Sequence, residues 1–145
     1  AQALVANHPD AVWECSHLAG HRFAPTGVLL PTGQVLGRLT PAVATAALAA
    51  ATAGRLDPET ITLDQHRGLS HLPGPAQVVD ARLRAREHVT ELVPWTLRTE
   101  LEGDRATVTV AETGEQFLLT STLGRQPRPA SCGKPDEGWR VWTIA

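Results

Sequence analysis

The hydrophobic period of this chain changes near residue 95, and that change narrows the folds open to it. Trp95, Leu97, Thr99 and Leu101 alternate with Thr96, Arg98 and Glu100. Side chains of a strand point alternately to two faces, so this is the pattern of a half-buried strand. Gly103-Asp104 turns the chain, residues 106–110 and 116–123 follow through Thr113-Gly114, and residues 139–144 read as a closing strand. Short strands joined by tight turns pair antiparallel. The last third is therefore expected to be an antiparallel meander, interrupted by a Pro/Gly-rich loop at 126–138 that carries Cys132.

Upstream, the period is helical. Thr40 suits an N-cap, Pro41 a first helical position and Gly54 a C-terminal stop, with an alanine-rich body between them. Residues 76 to about 92 form a second expected helix, with Val78, Ala81, Ala85 and Val89 on its inner stripe and Arg82 and Glu87 off it. Residues 28–30 and 34–39 read as a hairpin about Pro31-Thr32-Gly33. Residues 1–6 read as the end of a helix and 11–16 as a strand, with the Asn7-His8-Pro9-Asp10 turn between them. Residues 56–75 read as irregular. The fold class is thus α/β in the α+β sense. Residues 1–56 hold a helix, strand, hairpin and helix; residues 57–145 hold a helix and a small antiparallel β lobe.

The 145 residues are 42% hydrophobic, enough for a core, and 19% charged. A formal net charge of -2 offers no attraction for nucleic acid or an anionic membrane. No apolar run is long enough to span a bilayer; the alanine-rich stretch at 41–53 is too short and too weakly hydrophobic. Two cysteines, Cys15 and Cys132, do not make a disulfide scaffold, and the cytoplasm is the expected compartment. There is no methionine, and both ends read as cut, so a longer parent protein is expected.

The chemistry concentrates in Trp13-Glu14-Cys15-Ser16-His17-Leu18-Ala19-Gly20-His21-Arg22-Phe23. Imidazole and thiolate are common ligands of borderline-soft metals and iron–sulfur centres. On a strand Cys15 and His17 would share a face, and Gly20 lets the backbone fold back to set His21 beside His17. A complete centre needs about four donors. The remaining candidates are Cys132, His8, His66, His71 and His88, none of which forms a second ligand-spaced pair. Cys15-Ser16-His17 matches the first box of a Rieske site. Cys132 is followed by Gly133, Lys134 and Pro135, so the second box is missing and that assignment is excluded.

His17-Leu18-Ala19-Gly20-His21-Arg22-Phe23 resembles the His-x-Gly-Gly-His motif of the sucrase/ferredoxin-like family, with Ala19 in place of the first glycine. The hairpin at 28–39, the helix at 41–54, His66-Arg67-Gly68-Leu69-Ser70 and residues 128–135 extend the resemblance over most of the chain. It implies a thioredoxin-like ferredoxin lobe, here partial, in an electron-transfer protein with a 2Fe–2S cluster and a redox partner protein. By motif match the cluster ligands are His17 and His21. The family's cysteine pair lies upstream of the motif and is not contained in these residues, so the chain alone is expected to lack an intact cluster. Neutral imidazoles in place of two thiolates would raise the reduction potential, and a free ring nitrogen would couple it to pH.

Other readings remain beside this one. A zinc site would draw on Cys15, His17, His21 and Cys132, and a metal-free structural or interaction domain would use none of them. Trp13 is expected to shield the site, and Arg22, Arg38 and Arg67 are candidates for a docking face. Glycoside hydrolysis needs two carboxylates across a sugar cleft. Asp10, Glu14, Asp64 and Glu87 carry no signature of such a pair.

Overall fold

Backbone capping and turn residues set the first elements. The computed structural model describes residues 2–15, 18, 23–124 and 139–145. A single helical turn, α1 (Gln2–Val5), ends in the turn that precedes Pro9. Strands β1 (Gly27–Leu29) and β2 (Gln34–Leu36) form the expected hairpin. Gly33 takes φ +73° in its turn, and the Thr32 hydroxyl donates to the Leu29 carbonyl. Thr40 then sits in extended backbone and accepts the Val43 N–H at 3.2 Å, which starts α2 (Pro41–Thr52). Gly54, at φ +70°, lies just past its end.

A 3-10 turn at Pro58–Thr60 leads to β3 (His66–Leu69), which pairs antiparallel with β2 and completes a three-stranded sheet in the order β1-β2-β3. This strand lies in a stretch that reads as irregular from sequence. His66-Arg67-Gly68-Leu69 carries no alternation, and Gly68 adopts φ +101°; its pairing with β2 alone makes it a strand. The first sheet thus draws on residues from both sides of position 56.

Helix α3 (Gly74–Glu87) follows and ends at His88 in the left-handed region, φ 55°. It stops several residues short of the expected 92. The Arg84 side chain donates to the carbonyls of Val89, Glu91 and Leu92, and so holds this stretch as a loop folded over the guanidinium. The meander is as expected: β4 (Leu97–Glu102), β5 (Arg105–Val110), β6 (Gln116–Gly124) and β7 (Trp139–Ile144) form an antiparallel sheet in chain order. The architecture is therefore mixed α+β, with two antiparallel sheets.

Helix α3 lies between the sheets, against β3 on one side and the meander on the other. Val79 and Leu83 pack on Ala106, Val108, Val110 and Leu119, with Trp95 and Trp142 at the margin. Burying one such valine or leucine fully stabilises by about 1.5–3 kcal/mol. Having two neighbours widens the buried arc of α3. Of the expected stripe, Ala81 is buried and Val78 packs half-buried on the core, while Val89 falls beyond the helix; Ala76, Val79 and Leu83 join the inner face, and the arc takes in Asp80 and Arg84.

Over the described residues 11–15, the strand expected at 11–16 is not formed. Residues 12–15 have no regular structure, and Trp13 is 81% exposed, so no sheet face buries alternate side chains there. The histidines that Trp13 is expected to shield lie outside the described residues. Among the described residues, no helix is long and apolar enough to cross a membrane.

Candidate functional site

The histidine segment enters from irregular backbone and leaves through an anchored aromatic. Cys15, on the entry side, is an exposed free cysteine. On the exit side the Phe23 carbonyl accepts the Arg38 N–H at 2.6 Å, and the Pro25 carbonyl accepts the Leu39 N–H at 3.0 Å. The Arg67 guanidinium lies 3.7 Å from the centre of the Phe23 ring, a cation–π contact. Gly37 leaves the room this needs, since a Cβ there would stand 2.9 Å from the Phe23 Cβ. Phe23 is thus clamped between the end of the hairpin and β3.

His17, His21 and Cys132 lie outside the described residues, as do Arg22 and the loop expected at 126–138. The other sequence candidates are scattered. His8, His71 and His88 are exposed, while His66 is 1% exposed and far along the chain. Arg38 pairs with Asp64 at 2.9 Å, and Arg67 also donates to the Leu63 carbonyl. Among the described residues, no three His, Cys, Asp or Glu side chains come together in a group that could hold a metal ion. A four-donor centre therefore does not fit the described residues by themselves. Cys15 is exposed in irregular backbone, and His17, expected to share a face with it, lies outside the described residues.

Sequence reasoning missed a buried polar cluster centred on Asp80. Its carboxylate accepts from Arg84 Nε at 3.0 and 2.9 Å, from Trp95 Nε1 at 3.0 Å and from His66 Nε2 at 3.1 Å. A carboxylate only accepts, so His66 Nε2 carries the proton and Nδ1 faces the Gln34 amide nitrogen at 3.4 Å. That nitrogen also donates to the Thr60 hydroxyl. Asp80 and Arg84 are 1% and 0% exposed. Burial alone would push the Asp80 carboxyl up. The His66 hydrogen bond and the Arg84 charge outweigh it and hold the group below its ordinary value.

The cluster ties together β2, the 3-10 turn, β3, α3 and the loop that follows it. A cleft of about 210 Å³ adjoins it, lined by Leu69, Leu72, Trp95 and Leu97 together with Asp80 and Arg84. Those two groups already hold partners, so the cluster reads as a structural lock. Its one sequence signal is the Asp80–Arg84 spacing of four residues on a helix, which on an exposed face is an ordinary ion pair.

No protein-family model, characterised protein or solved structure matches the chain, so the reading of its site rests on the residues themselves.

Proposed function

We propose that the chain is part of an electron-transfer protein in which His17 and His21 are two ligands of a 2Fe–2S cluster, with two cysteine thiolates supplied from outside residues 1–145. The supporting observation is the clamp on Phe23. It holds the end of the His17–x–x–x–His21–Arg22–Phe23 run against the hairpin, through the Arg38 N–H and the Arg67 guanidinium. A short span leaving a fixed point has less conformational entropy to lose when its side chains bind a ligand. A bound cluster would supply one-electron transfer to a partner protein. The residues of this chain would bind and orient it and exchange a proton at a free imidazole nitrogen.

The test uses the complete gene product. The expected result is iron and acid-labile sulfide in equal amounts, with visible absorption. Replacing His17 or His21 by Cys should lower the reduction potential and flatten its pH dependence. A colourless protein, zinc in place of iron, or a potential titration unchanged in both variants would overturn the reading.

A further inference from the structure

The four-stranded sheet ends on β4, and the open side of that strand is a self-complementary edge. Among the described residues no strand pairs with β4 beyond β5. The ladder shows which backbone groups are free. Ala111 N–H bonds the Thr96 carbonyl, and the register continues as Leu97↔Val110, Arg98↔Thr109 and Thr99↔Val108. Hydrogen-bonded and non-bonded pairs alternate in an antiparallel ladder. Residues 98, 100 and 102 therefore spend their backbone groups on β5, while Leu97, Thr99 and Leu101 turn theirs to the open side.

Thr99 adds an independent sign. Its hydroxyl is buried and has no hydrogen-bond partner, the one such side-chain atom among the described residues. Buried hydroxyls without a partner are costly and uncommon. Leu101 is also 62% exposed at the end of the same strand.

We infer that β4 pairs antiparallel with β4 of a second copy of this chain about a two-fold axis at Thr99, giving a continuous eight-stranded sheet. Side-chain charge selects this centre. With Arg98 on the axis, Arg98 would face its own copy, and with Glu100 on the axis, Glu100 would do the same; like charges directly opposite destabilise. With Thr99 on the axis, each Arg98 faces the other copy's Glu100, on the exposed face where both side chains lie. The free N–H and C=O groups of Leu97, Thr99 and Leu101 then meet those of Leu101, Thr99 and Leu97 in the second copy. Each Thr99 lies opposite its own copy, and a rotation about χ1 brings its hydroxyl, buried without a partner in the single chain, across the axis to the other, where threonine pairs hydrogen-bond. Leu101 packs beside Leu97. The open edge of β7 has no such pattern, since its central turned-out residues are Arg140, Trp142 and Ile144. A strand-edge contact buries little area, so the association is weak and concentration-dependent.

Sedimentation velocity, from about 10 μM to about 1 mM, tests this with amide exchange at both ends of the range. The wild-type chain should pass from its 15.5 kDa monomer to a dimer. The amides of Leu97, Thr99 and Leu101 should exchange more slowly at the higher concentration. Glu100→Arg sets like charges opposite and should raise the dimer Kd at least about tenfold. The double variant R98E/E100R restores opposite pairs and should recover the dimer. Thr99→Pro removes a donor that β5 does not use and should also give monomer, with an unchanged circular dichroism spectrum showing that the sheet persists. A wild-type chain monomeric throughout would overturn the inference. So would a dimer that tolerates both Glu100→Arg and Thr99→Pro, or one in which the three amides exchange as freely as in the monomer.

Discussion

Replacing Asp80 by Asn keeps the shape of the side chain but breaks the buried cluster. Three donors converge on the carboxylate: Arg84 Nε, His66 Nε2 and Trp95 Nε1. An amide offers one acceptor oxygen, and its NH2 must then face a donor. If the oxygen serves His66, Trp95 Nε1–H meets NH2. If it serves Trp95, His66 must change tautomer, and its Nδ1–H then meets the Gln34 amide nitrogen. In both cases the Arg84 guanidinium, 0% exposed, loses its counter-ion. Removing one partner of a buried ion pair costs about 3–5 kcal/mol, a large share of a domain's stability. For a chain of this size that corresponds to a fall in Tm of about 10–15 °C.

The pH dependence carries a sign that can be checked. The folded-state value for Asp80 lies below its ordinary 3.8. Its ionised form therefore stabilises the native state above that ordinary value, and the contribution is lost as pH falls through the folded value. Urea unfolding followed by circular dichroism should show the full wild-type advantage near neutrality and a shrinking one below about pH 4. Asp80→Asn combined with Arg84→Met should cost less than the sum of the two single variants, because the second change removes the unpaired cation. A neutral-pH loss under about 1 kcal/mol, or a difference that stays constant through acid, would refute the reasoning.

Two glycines separate backbone strain from crowding. Gly54→Ala, with positive φ and open space around it, should cost about 1–2 kcal/mol, whereas Gly68→Ala also drives a Cβ to 2.6 Å from the Gln77 Cβ and should cost about 2–4 kcal/mol by denaturant unfolding. Equal losses at the two sites would discount the contact. Thr40→Ala removes the acceptor for the Val43 N–H and should lower stability by about 1 kcal/mol, with faster amide exchange in the first turn of α2. Val108→Ala empties a fully buried position opposite α3 and should cost about 2–3 kcal/mol in the same unfolding assay.

Local rules carried much of the fold. The N-cap at Thr40, the turn at Gly33 and the alternation through β4, β5 and β6 act within a few residues, where capping and side-chain period leave little freedom. Where such rules gave no signal, or a misleading one, tertiary pairing decided. His66-Arg67-Gly68-Leu69 became a strand because β2 offered it a ladder, and residues 12–15 stayed irregular. For the candidate site, the sequence showed the His17/His21 spacing and its aromatic exit, but not the clamp on Phe23. That clamp joins positions 23, 37, 38 and 67, which only the fold brings together.

The sequence by itself therefore determined the α+β class, the meander and the location of the histidine pair. Only the tertiary structure decided the inner face of α3, the early end of that helix at His88, and the burial of an aspartate, an arginine and a histidine that any sequence pattern would leave in solvent. The physical reason is partner supply. A buried charge is tolerable only where several distant groups meet it. His66, Trp95 and the carbonyls of Val89, Glu91 and Leu92 reach Asp80 and Arg84, with Gln34 bracing His66, only once both sheets are in place.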